Sequence, residues 1–312
     1  MHALAIVFEE PRKLALCELG LNDPTAEDVV VDIDWSGIST GTERLLWSGR
    51  MPPFPGMGYP LVPGYESIGR VVEAGPDSGR SVGQDVFVPG ANCYRDARGL
   101  FGGASSRVVL PGRKAMPVSR DLGDRAVLLA LAATAHHAVS PDTHKAPELI
   151  VGHGVLGRLI ARIAVAHGAT PTVWETNAGR QSGGEGYPVI HPDDDPRRDY
   201  HRICDVSGDS ELLDSLIMRL ARGGEVLLAG FYDQRLSFAF PAAFMREARI
   251  RVAAEWRPHN LAAVDQMVAD GRLSLDGLIT HTSRPSGYES AYTTAFTDPA
   301  CLKMVLDWRQ AA

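Results

Sequence analysis

One stretch decides the fold of this chain: Glu148-Leu149-Ile150-Val151-Gly152-His153-Gly154-Val155-Leu156-Gly157. Its apolar run predicts a buried parallel strand, and a Gly-x-Gly-x-x-Gly turn follows directly. Beyond the turn, apolar residues recur at helical spacing as far as Ala166, and Gly168 predicts the end of that helix. A strand, a glycine-rich turn and a helix in this order are typical of a dinucleotide-binding unit. The alternative is a glycine-rich loop in an α/β domain that binds no nucleotide.

Each part of the turn has a predicted role. Gly152 permits the tight turn, Gly154 lets a pyrophosphate approach the backbone, and Gly157 lets the helix pack against the strand. The helix N-terminus offers N–H groups and partial positive charge to the phosphates. The next strand ends on Glu175, whose carboxylate would bind the ribose hydroxyls and repel a 2′-phosphate, so NAD is predicted. The cofactor-binding residues predicted here are Gly152, His153, Gly154, Val155, Leu156, Gly157 and Glu175.

Length and composition limit the class of protein. The chain has 312 residues, which suits two domains, and 45% of its residues are hydrophobic. A net charge of −7 argues against a nucleic-acid partner. No apolar run is long enough to span a membrane, and the first residues lack the basic start of a signal peptide, so a cytoplasmic location is expected. The four cysteines form no Cys-x-x-Cys pair and are expected to be reduced.

The N-terminal part, residues 1–120, predicts strands and turns. We expect a hairpin around Pro11-Arg12, a helical turn at residues 43–47 and further strands at residues 28–35, 85–88 and 105–110. Together they predict a small, partly open β-barrel.

Residues 121–255 alternate between helical and strand patterns, which predicts a doubly wound parallel sheet and an α/β fold class. Helices are expected at residues 121–139 and 211–221, the second ending at Gly223-Gly224, with a chain break at 141–147 and a solvated loop at 193–199. Ligands bind where the strands of such sheets end, so Ser207, Gly230 and Phe231 are candidates for the nicotinamide half of the cofactor. Residues 256–312 predict a helix at 261–270 and a last strand at 303–307.

Three stretches carry a resemblance over essentially the whole chain: residues 63–72, the glycine turn, and residues 271–281. They are similar to the medium-chain dehydrogenase/reductase superfamily. The resemblance implies a GroES-like, partly open β-barrel domain made from residues 1–120 and 256–312, with a Rossmann domain at residues 121–255 inserted between them. It also implies a cleft between the two domains for substrate and nicotinamide, and a possible homodimer, because members commonly pair through the edges of their Rossmann sheets.

The chain departs from the pattern of the zinc-using members. Gly37-Ile38 is followed by Ser39-Thr40 where those members have a cysteine, and Tyr65 stands where they have a zinc-binding histidine. Only Cys93 lies in the stretch that carries four cysteines in the zinc-using members. Catalytic zinc needs three protein ligands. A site without metal is therefore predicted.

Without zinc, side chains must bind the alcohol oxygen and remove its proton. Tyr65 is the leading candidate by position, with Ser39, Thr40 and Thr42 as a hydroxyl relay and His136 or its neighbour His137 as a proton carrier. The alternatives are aromatic packing for Tyr65, turn capping for the hydroxyls and a satisfied core position for one histidine. Glu66 is expected to hold the loop through backbone or arginine contacts.

Residues 36–43, 185–189 and 255–257 resemble a narrower group of dehydrogenases of bacteriochlorophyll synthesis. This resemblance implies oxidation of the 3-(1-hydroxyethyl) side chain of a chlorin to an acetyl group with NAD. The apolar loop at residues 51–59 suits a flat macrocycle, or else packs on its own domain or a dimer mate. Two other functions stay open: a quinone- or enoyl-reductase-like enzyme, and a dinucleotide-binding sensor without catalytic activity.

Overall fold

The computed structural model describes residues 1–53, 55–140 and 146–309. Contacts divide the chain into two compact units. The first unit contains residues 1–130 and 276–312, and the second contains residues 131–275. The Rossmann domain was expected at residues 121–255, and the second unit begins ten residues later and ends twenty residues later. Its end lies later because Asn260 Nδ2 is 3.1 Å from His136 Nδ1 and Arg162 donates to the Ser274 carbonyl at 2.9 Å.

The elements follow in chain order. The strands are β1 (His2–Glu10), β2 (Lys13–Gly20), β3 (Asp28–Ile38), β4 (Leu61–Val62), β5 (Ser67–Ala74), β6 (Asp85–Val88), β7 (Arg98–Gly99), β8 (Arg107–Pro111), β9 (Met116–Pro117), β10 (Leu149–Val151), β11 (Thr172–Trp174), β12 (Val189–Ile190), β13 (Tyr200–Asp205), β14 (Leu220–Leu228), β15 (Arg249–Val252), β16 (His281–Ser283) and β17 (Met304–Asp307). The α-helices are α1 (Thr42–Ser48), α2 (Leu129–Val139), α3 (Val155–Ala166), α4 (Leu213–Met218), α5 (Phe240–Arg246), α6 (Pro258–Ala269) and α7 (Tyr288–Thr297).

Two sheets form the first unit. The predicted hairpin of β1 and β2 belongs to a sheet with the order β2-β1-β4-β7, and the larger sheet has the order β16-β17-β3-β5-β6-β9, with β8 also paired to β3. Strand β3 is apolar on both faces, with Val29, Val30 and Val31 fully buried. The C-terminal strand β17 pairs antiparallel with β3, and Met304 lies opposite Ile38. Strand β17 therefore lies beside the segment that carries Ser39 and leads into α1 at Thr42.

The second unit contains a six-stranded parallel sheet with the order β12-β11-β10-β13-β14-β15. Numbered from β10, this is the order 3-2-1-4-5-6 of the Rossmann fold. Strand β10 is central and buried along its length, as expected for a parallel strand covered on both faces. Pro188 precedes the edge strand β12, as expected for a residue that cannot donate a hydrogen bond to a sheet.

Three local predictions were wrong. The helix predicted at 211–221 ends at Met218, and Gly223-Gly224 lies inside β14, where the pairing with β13 shifts register between Tyr200 and Arg202. The segment predicted to be helical from 121 is a 3-10 helix to Leu128, interrupted at Gly123 by a φ of +55°, and only α2 is α-helical. Asp195, expected in a solvated loop, is 3% exposed and accepts hydrogen bonds from Trp174 and Tyr200. Most of the break predicted at 141–147 lies outside the described residues.

Candidate active site

The glycine turn has the geometry that a dinucleotide needs. Gly152 adopts a φ of +103°, which favours glycine, and an added Cβ at Gly157 would lie 1.9 Å from the Gly152 carbonyl oxygen. An added Cβ at Gly154 would meet nothing within 4 Å. The turn is therefore tight at both ends and open at Gly154, where a pyrophosphate would approach. Val155 and Leu156 begin α3 and place their N–H groups in its first turn.

Glu175 lies at the end of β11, as expected, and its carboxylate is already bonded to the backbone. One oxygen accepts the N–H of His153 at 3.1 Å, and the other accepts the N–H of Asn177 at 2.8 Å. A carboxylate has about four acceptor positions, so capacity for two ribose hydroxyls remains. Glu175 thus also fastens the glycine turn to the loop after β11, a role that the sequence did not reveal.

The His153 side chain is fully buried and binds the loop at residues 180–187. Its Nδ1 lies 2.6 Å from the Arg180 carbonyl oxygen and must donate, so its Nε2 accepts from the Tyr187 hydroxyl at 3.0 Å. Burial lowers the pKa of His153 to about 4, so the ring is neutral at pH 7. The ring and the backbone N–H of His153 both bind protein groups, and its contact with the cofactor stays a prediction.

Arg158, on α3, fastens the same loop. Its guanidinium donates to the carbonyl oxygens of His153, Arg180, Ser182 and Gly183. Burial lowers the pKa of Arg158. The sequence analysis assigned no function to this arginine, and its contacts show that it holds the loop.

The ends of β10, β13 and β14 meet at the carboxyl edge of the sheet. A Cβ added at Gly152 would lie 3.3 Å from the backbone of Ser207, and one added at Gly230 would lie 3.3 Å from the backbone of Val206 and Gly208. The Ser207 hydroxyl donates to Asp205 at 2.7 Å, and Phe231 is 51% exposed. The structure brings Ser207, Gly230 and Phe231 to the switch point of the sheet; their contacts with the nicotinamide half stay a prediction.

In the first unit, three predicted catalytic residues converge. The Ser39 hydroxyl and the Tyr65 phenol oxygen lie 2.7 Å apart, and the Thr42 hydroxyl lies near enough to lower the pKa of that phenol. We call Ser39, Thr42 and Tyr65 the hydroxyl cluster. Burial, followed by the charge of Glu66, raises the pKa of Tyr65 well above its usual value. The phenol is therefore protonated at neutral pH. The rings of Phe101 and Tyr65 pack at a steep angle of 72°, with 5.1 Å between their centroids.

Buried ionisable residues that the sequence did not place together lie next to the hydroxyl cluster. Lys303 and Glu66 form a buried ion pair, with the ammonium nitrogen 2.6 Å from a carboxylate oxygen. Glu43 is buried as well, and it accepts hydrogen bonds from the Ser39 N–H at 3.1 Å and the Tyr292 hydroxyl at 3.0 Å. Backbone or arginine contacts were expected for Glu66; its carbonyl oxygen accepts the Gly37 N–H at 2.8 Å, and its carboxylate binds a lysine. The sequence signal was a single lysine within the apolar stretch from Cys301 to Leu306.

His136 lies in the second unit, on α2. It is 7% exposed, and its Nδ1 accepts from Asn260 Nδ2 at 3.1 Å, while the Asn260 side-chain oxygen accepts the Arg257 N–H at the start of α6. These contacts match the alternative of a satisfied core histidine. Burial lowers the pKa of the neighbouring, partly exposed His137. The catalytic role of His136 stays a prediction without support from its contacts.

The loop at residues 51–59 packs on its own unit where it is described. Met51 is 5% exposed within the core, and Met57 and Tyr59 are partly buried against that core. Tyr59 also donates to the Leu46 carbonyl oxygen. Phe54, the aromatic residue at the centre of the predicted macrocycle surface, lies outside the described residues. Met51, Met57 and Tyr59 therefore pack on their own domain, which was the alternative to a surface for the macrocycle.

Across the described ranges, no three or more His, Cys, Asp or Glu side chains lie together as a metal site would require. Ser39 and Tyr65 present hydroxyl oxygens, whereas catalytic zinc is bound mostly by thiolate, imidazole and carboxylate groups. A site that works without zinc stays a prediction. Within the same ranges, no helix is both long and apolar enough to cross a bilayer.

The two units together define the class of medium-chain dehydrogenases. Residues 25–120 match the family described as the alcohol dehydrogenase GroES-like domain. The structure is similar to a short chain alcohol dehydrogenase from Escherichia coli CFT073 solved with NADH, at a TM-score of 0.83, 20% identity and coverage of 98% of this chain and 99% of the other. It is also similar to a putative zinc-binding dehydrogenase from Sinorhizobium meliloti 1021 bound to NADP, at a TM-score of 0.81, 19% identity and coverage of 98% and 99%. The expected fold class is confirmed.

Curated relatives give a narrower assignment. A 2-desacetyl-2-hydroxyethyl bacteriochlorophyllide A dehydrogenase from Cereibacter sphaeroides is 55% identical over 100% of both chains. A protein of the same name from Rhodobacter capsulatus is 53% identical, again over 100% of both chains. This chain belongs to the family of those bacteriochlorophyllide dehydrogenases. It is a dehydrogenase, and membership of this class implies a nicotinamide dinucleotide as its cofactor.

Proposed function

We propose that this chain oxidises the hydroxyethyl side chain of a bacteriochlorophyllide to an acetyl group with NAD and without zinc. The observation that carries the proposal is the hydroxyl cluster, because Ser39 and Tyr65 lie in hydrogen-bond contact at the position that the superfamily uses for zinc. Full-length identity of 55% to a dehydrogenase named for this substrate supports the substrate class. A nicotinamide, when bound, would supply the acceptor for the carbinol hydride, so the residues of this chain have only the hydroxyl proton to remove.

The hydroxyl cluster supplies the route for that proton. A protonated Tyr65 cannot act as a base by itself, so it relays: the phenol oxygen accepts the substrate proton while its own proton passes to Ser39 or Thr42. The proton leaves from these hydroxyls to solvent. The same phenol donates a hydrogen bond to an alkoxide as negative charge develops on the substrate oxygen.

The preference for NAD rests on Glu175. Its two backbone hydrogen bonds fix the carboxylate beside the glycine turn and leave acceptor capacity for the ribose hydroxyls. A 2′-phosphate would bring negative charge against this carboxylate, which disfavours NADP. This also weighs against an NADPH-dependent quinone or enoyl reductase.

A homodimer through the free edge of the second unit's sheet is also part of the proposal. Edge strand β15 exposes Ile250 at 38% and Val252 at 71%, and the neighbouring helix α5 exposes Phe244 at 65% and Met245 at 71%. An uncovered apolar edge strand is a template for pairing with another chain. A second copy related by a twofold axis would pair β15 with β15 and cover these side chains.

The deciding experiment is an anaerobic titration of protein freed of metal by chelation, with 3-hydroxyethyl bacteriochlorophyllide and NAD. We expect the chlorin absorption to shift to the red while NADH appears in equal amount. If NADH binds tightly and no shift occurs, the substrate assignment is overturned and a sensor without catalytic activity becomes the better explanation. If turnover needs added zinc, the hydroxyl relay is overturned.

A further inference from the structure

The peptide group between Ile38 and Ser39 is held from both sides by buried side chains. The Ile38 carbonyl oxygen accepts from Lys303 Nζ at 3.3 Å, and the Ser39 N–H donates to Glu43 Oε1 at 3.1 Å. Both side chains are buried, with Lys303 2% and Glu43 1% exposed. This one peptide group therefore has its donor and its acceptor fixed by residues that play no direct part in the proposed chemistry.

Each of the two holding residues is itself fixed. Lys303 is paired with Glu66 Oε2 at 2.6 Å, and Gly37 leaves room for that carboxylate, since a Cβ added there would lie 2.4 Å from the same oxygen. Glu43 Oε2 accepts from the Tyr292 hydroxyl at 3.0 Å. Lys303 and Tyr292 both come from the C-terminal part of the first unit.

We propose that Lys303 and Glu43 are positioning residues that clamp the Ile38–Ser39 peptide and thereby hold the Ser39 hydroxyl in contact with Tyr65. The inference rests on the proposed relay and assigns a function to the C-terminal segment in it. Rotation of this peptide would move the Ser39 Cα and separate the two hydroxyls. A misplacement of about 1 Å in a catalytic group can lower a rate on the order of 100-fold.

The ionisation of Glu43 makes a selective test possible. Burial raises the pKa of Glu43 to about 8, so the side chain is mainly a neutral acid at pH 7. A glutamine has the same shape, keeps an acceptor for the Ser39 N–H and is also neutral. Glu43→Gln should therefore preserve the clamp, whereas Glu43→Leu removes the acceptor and keeps similar bulk.

The test compares these two variants in the full chain, with Asp32→Asn, at a partly exposed ion pair elsewhere in the same unit, as the control. Turnover of the hydroxyethyl chlorin, NADH binding and backbone amide exchange at Ser39 are measured on each. We expect Glu43→Leu to lower kcat about 10- to 100-fold. NADH binding should be unchanged, Ser39 amide exchange should be faster, and Glu43→Gln should restore both kcat and slow exchange. Equal kcat and equal exchange in the two variants would overturn the clamp.

Lys303 needs a paired change, because removing it alone leaves Glu66 buried without its partner. The double variant Lys303→Met/Glu66→Gln removes both charges together and also removes the donor to the Ile38 carbonyl. We expect it to fold, to bind NADH normally and to lose kcat about as far as Glu43→Leu, and a wild-type kcat would overturn the role of Lys303. Amide exchange does not depend on the substrate. It therefore tests whether Glu43 and Lys303 hold the Ile38–Ser39 peptide even if the chlorin proves not to be the substrate.

Discussion

Ser39 and Tyr65 are separated by 26 positions in the sequence, yet their side-chain oxygens lie 2.7 Å apart. Strand β3 delivers Ser39 at its end, and the loop before β5 delivers Tyr65. Because β3 and β5 pair antiparallel with Ser36 opposite Ser67, the residues just beyond this pair meet. The contact is thus a consequence of strand register.

Tyr65→Phe removes only the phenol oxygen and should leave the ring packed on Phe101. If the relay operates, kcat should fall on the order of 100- to 1000-fold, as expected for loss of a positioned acid–base group, with NADH affinity unchanged. Steady-state rates and NADH fluorescence titration provide the measurements. Tyr288→Phe, at a partly exposed hydroxyl bonded to Glu289, is the matched control. A Tyr65→Phe enzyme with normal kcat would eliminate the relay and leave Tyr65 as a packing residue.

Two glycines of the same turn should respond differently to a single methyl group. Gly157→Ala places a Cβ 1.9 Å from the Gly152 carbonyl oxygen, so the helix must move away from the strand and the protein should be strongly destabilised. Gly154→Ala meets no protein atom within 4 Å and should fold with an unchanged melting temperature. It should nevertheless weaken NADH binding at least tenfold, because the methyl occupies the approach of the pyrophosphate. Thermal melting and calorimetric titration separate the two effects, and tight NADH binding by Gly154→Ala would contradict this position for the phosphates.

The elements that the sequence predicted well are those whose patterns are local. The strand, turn and helix around Gly152, the hairpin at Pro11 and the strand at 85–88 each follow from spacing and turn residues within a short window. The hydroxyl cluster was predicted because the resemblance aligned Ser39 and Tyr65 with known site positions.

The contacts that the sequence did not predict depend on pairing between distant segments. Nothing within residues 36–43 indicates that Lys303 binds the Ile38 carbonyl, because that contact follows from the antiparallel pairing of β17 with β3. Arg158 illustrates the same limit, since its buried side chain binds the loop at 180–183, which follows α3 and β11 in the chain. The early end of the helix at Met218 also depended on strand pairing, which overrode the local helical pattern.

His153 should make the second unit sensitive to acid. Its pKa is about 4 in the folded protein, mainly because of burial, and its usual value is 6.5, so the unfolded chain binds its proton first as the pH falls. Above pH 6.5 the buried neutral ring does not lower the free energy of unfolding. As the pH falls from 6.5 towards 4, the unfolded chain takes up the proton and the free energy of unfolding decreases. The loss by pH 4.5 is about 2–3 kcal/mol.

Urea unfolding at pH 7 and pH 4.5 measures this loss. His153→Gln should lose less stability than the wild type over that interval, and His201→Gln, at a largely exposed histidine, should behave as the wild type does. The same acid sensitivity in His153→Gln and wild type would show that His153 is not buried in neutral form.

The proposed homodimer predicts a change of mass on a single edge substitution. Val252→Lys places a charge on the exposed edge strand, where two copies of β15 would pair, and should convert a dimer to a monomer without unfolding it. Val82→Lys, at a comparably exposed valine of the first unit, should remain dimeric. Light scattering after gel filtration gives the masses directly. A monomeric wild type at micromolar concentration would refute the dimer, and a dimeric Val252→Lys would place the interface elsewhere.

Selection of NAD over NADP should depend on the charge of Glu175 more than on its hydrogen bonds. Glu175→Gln keeps one oxygen to accept a backbone N–H from His153 or Asn177, but removes the negative charge that a 2′-phosphate would face. The ratio of kcat/KM for NAD to that for NADP should therefore fall at least tenfold, chiefly because NADP is used better. Glu175→Ala removes both backbone contacts as well, so NAD binding should weaken further while the ratio falls to a similar extent. Both ratios should be measured at low ionic strength, where repulsion between a carboxylate and a phosphate is screened least. A ratio unchanged in both variants would mean that Glu175 only fastens the glycine turn, and that other residues select the cofactor.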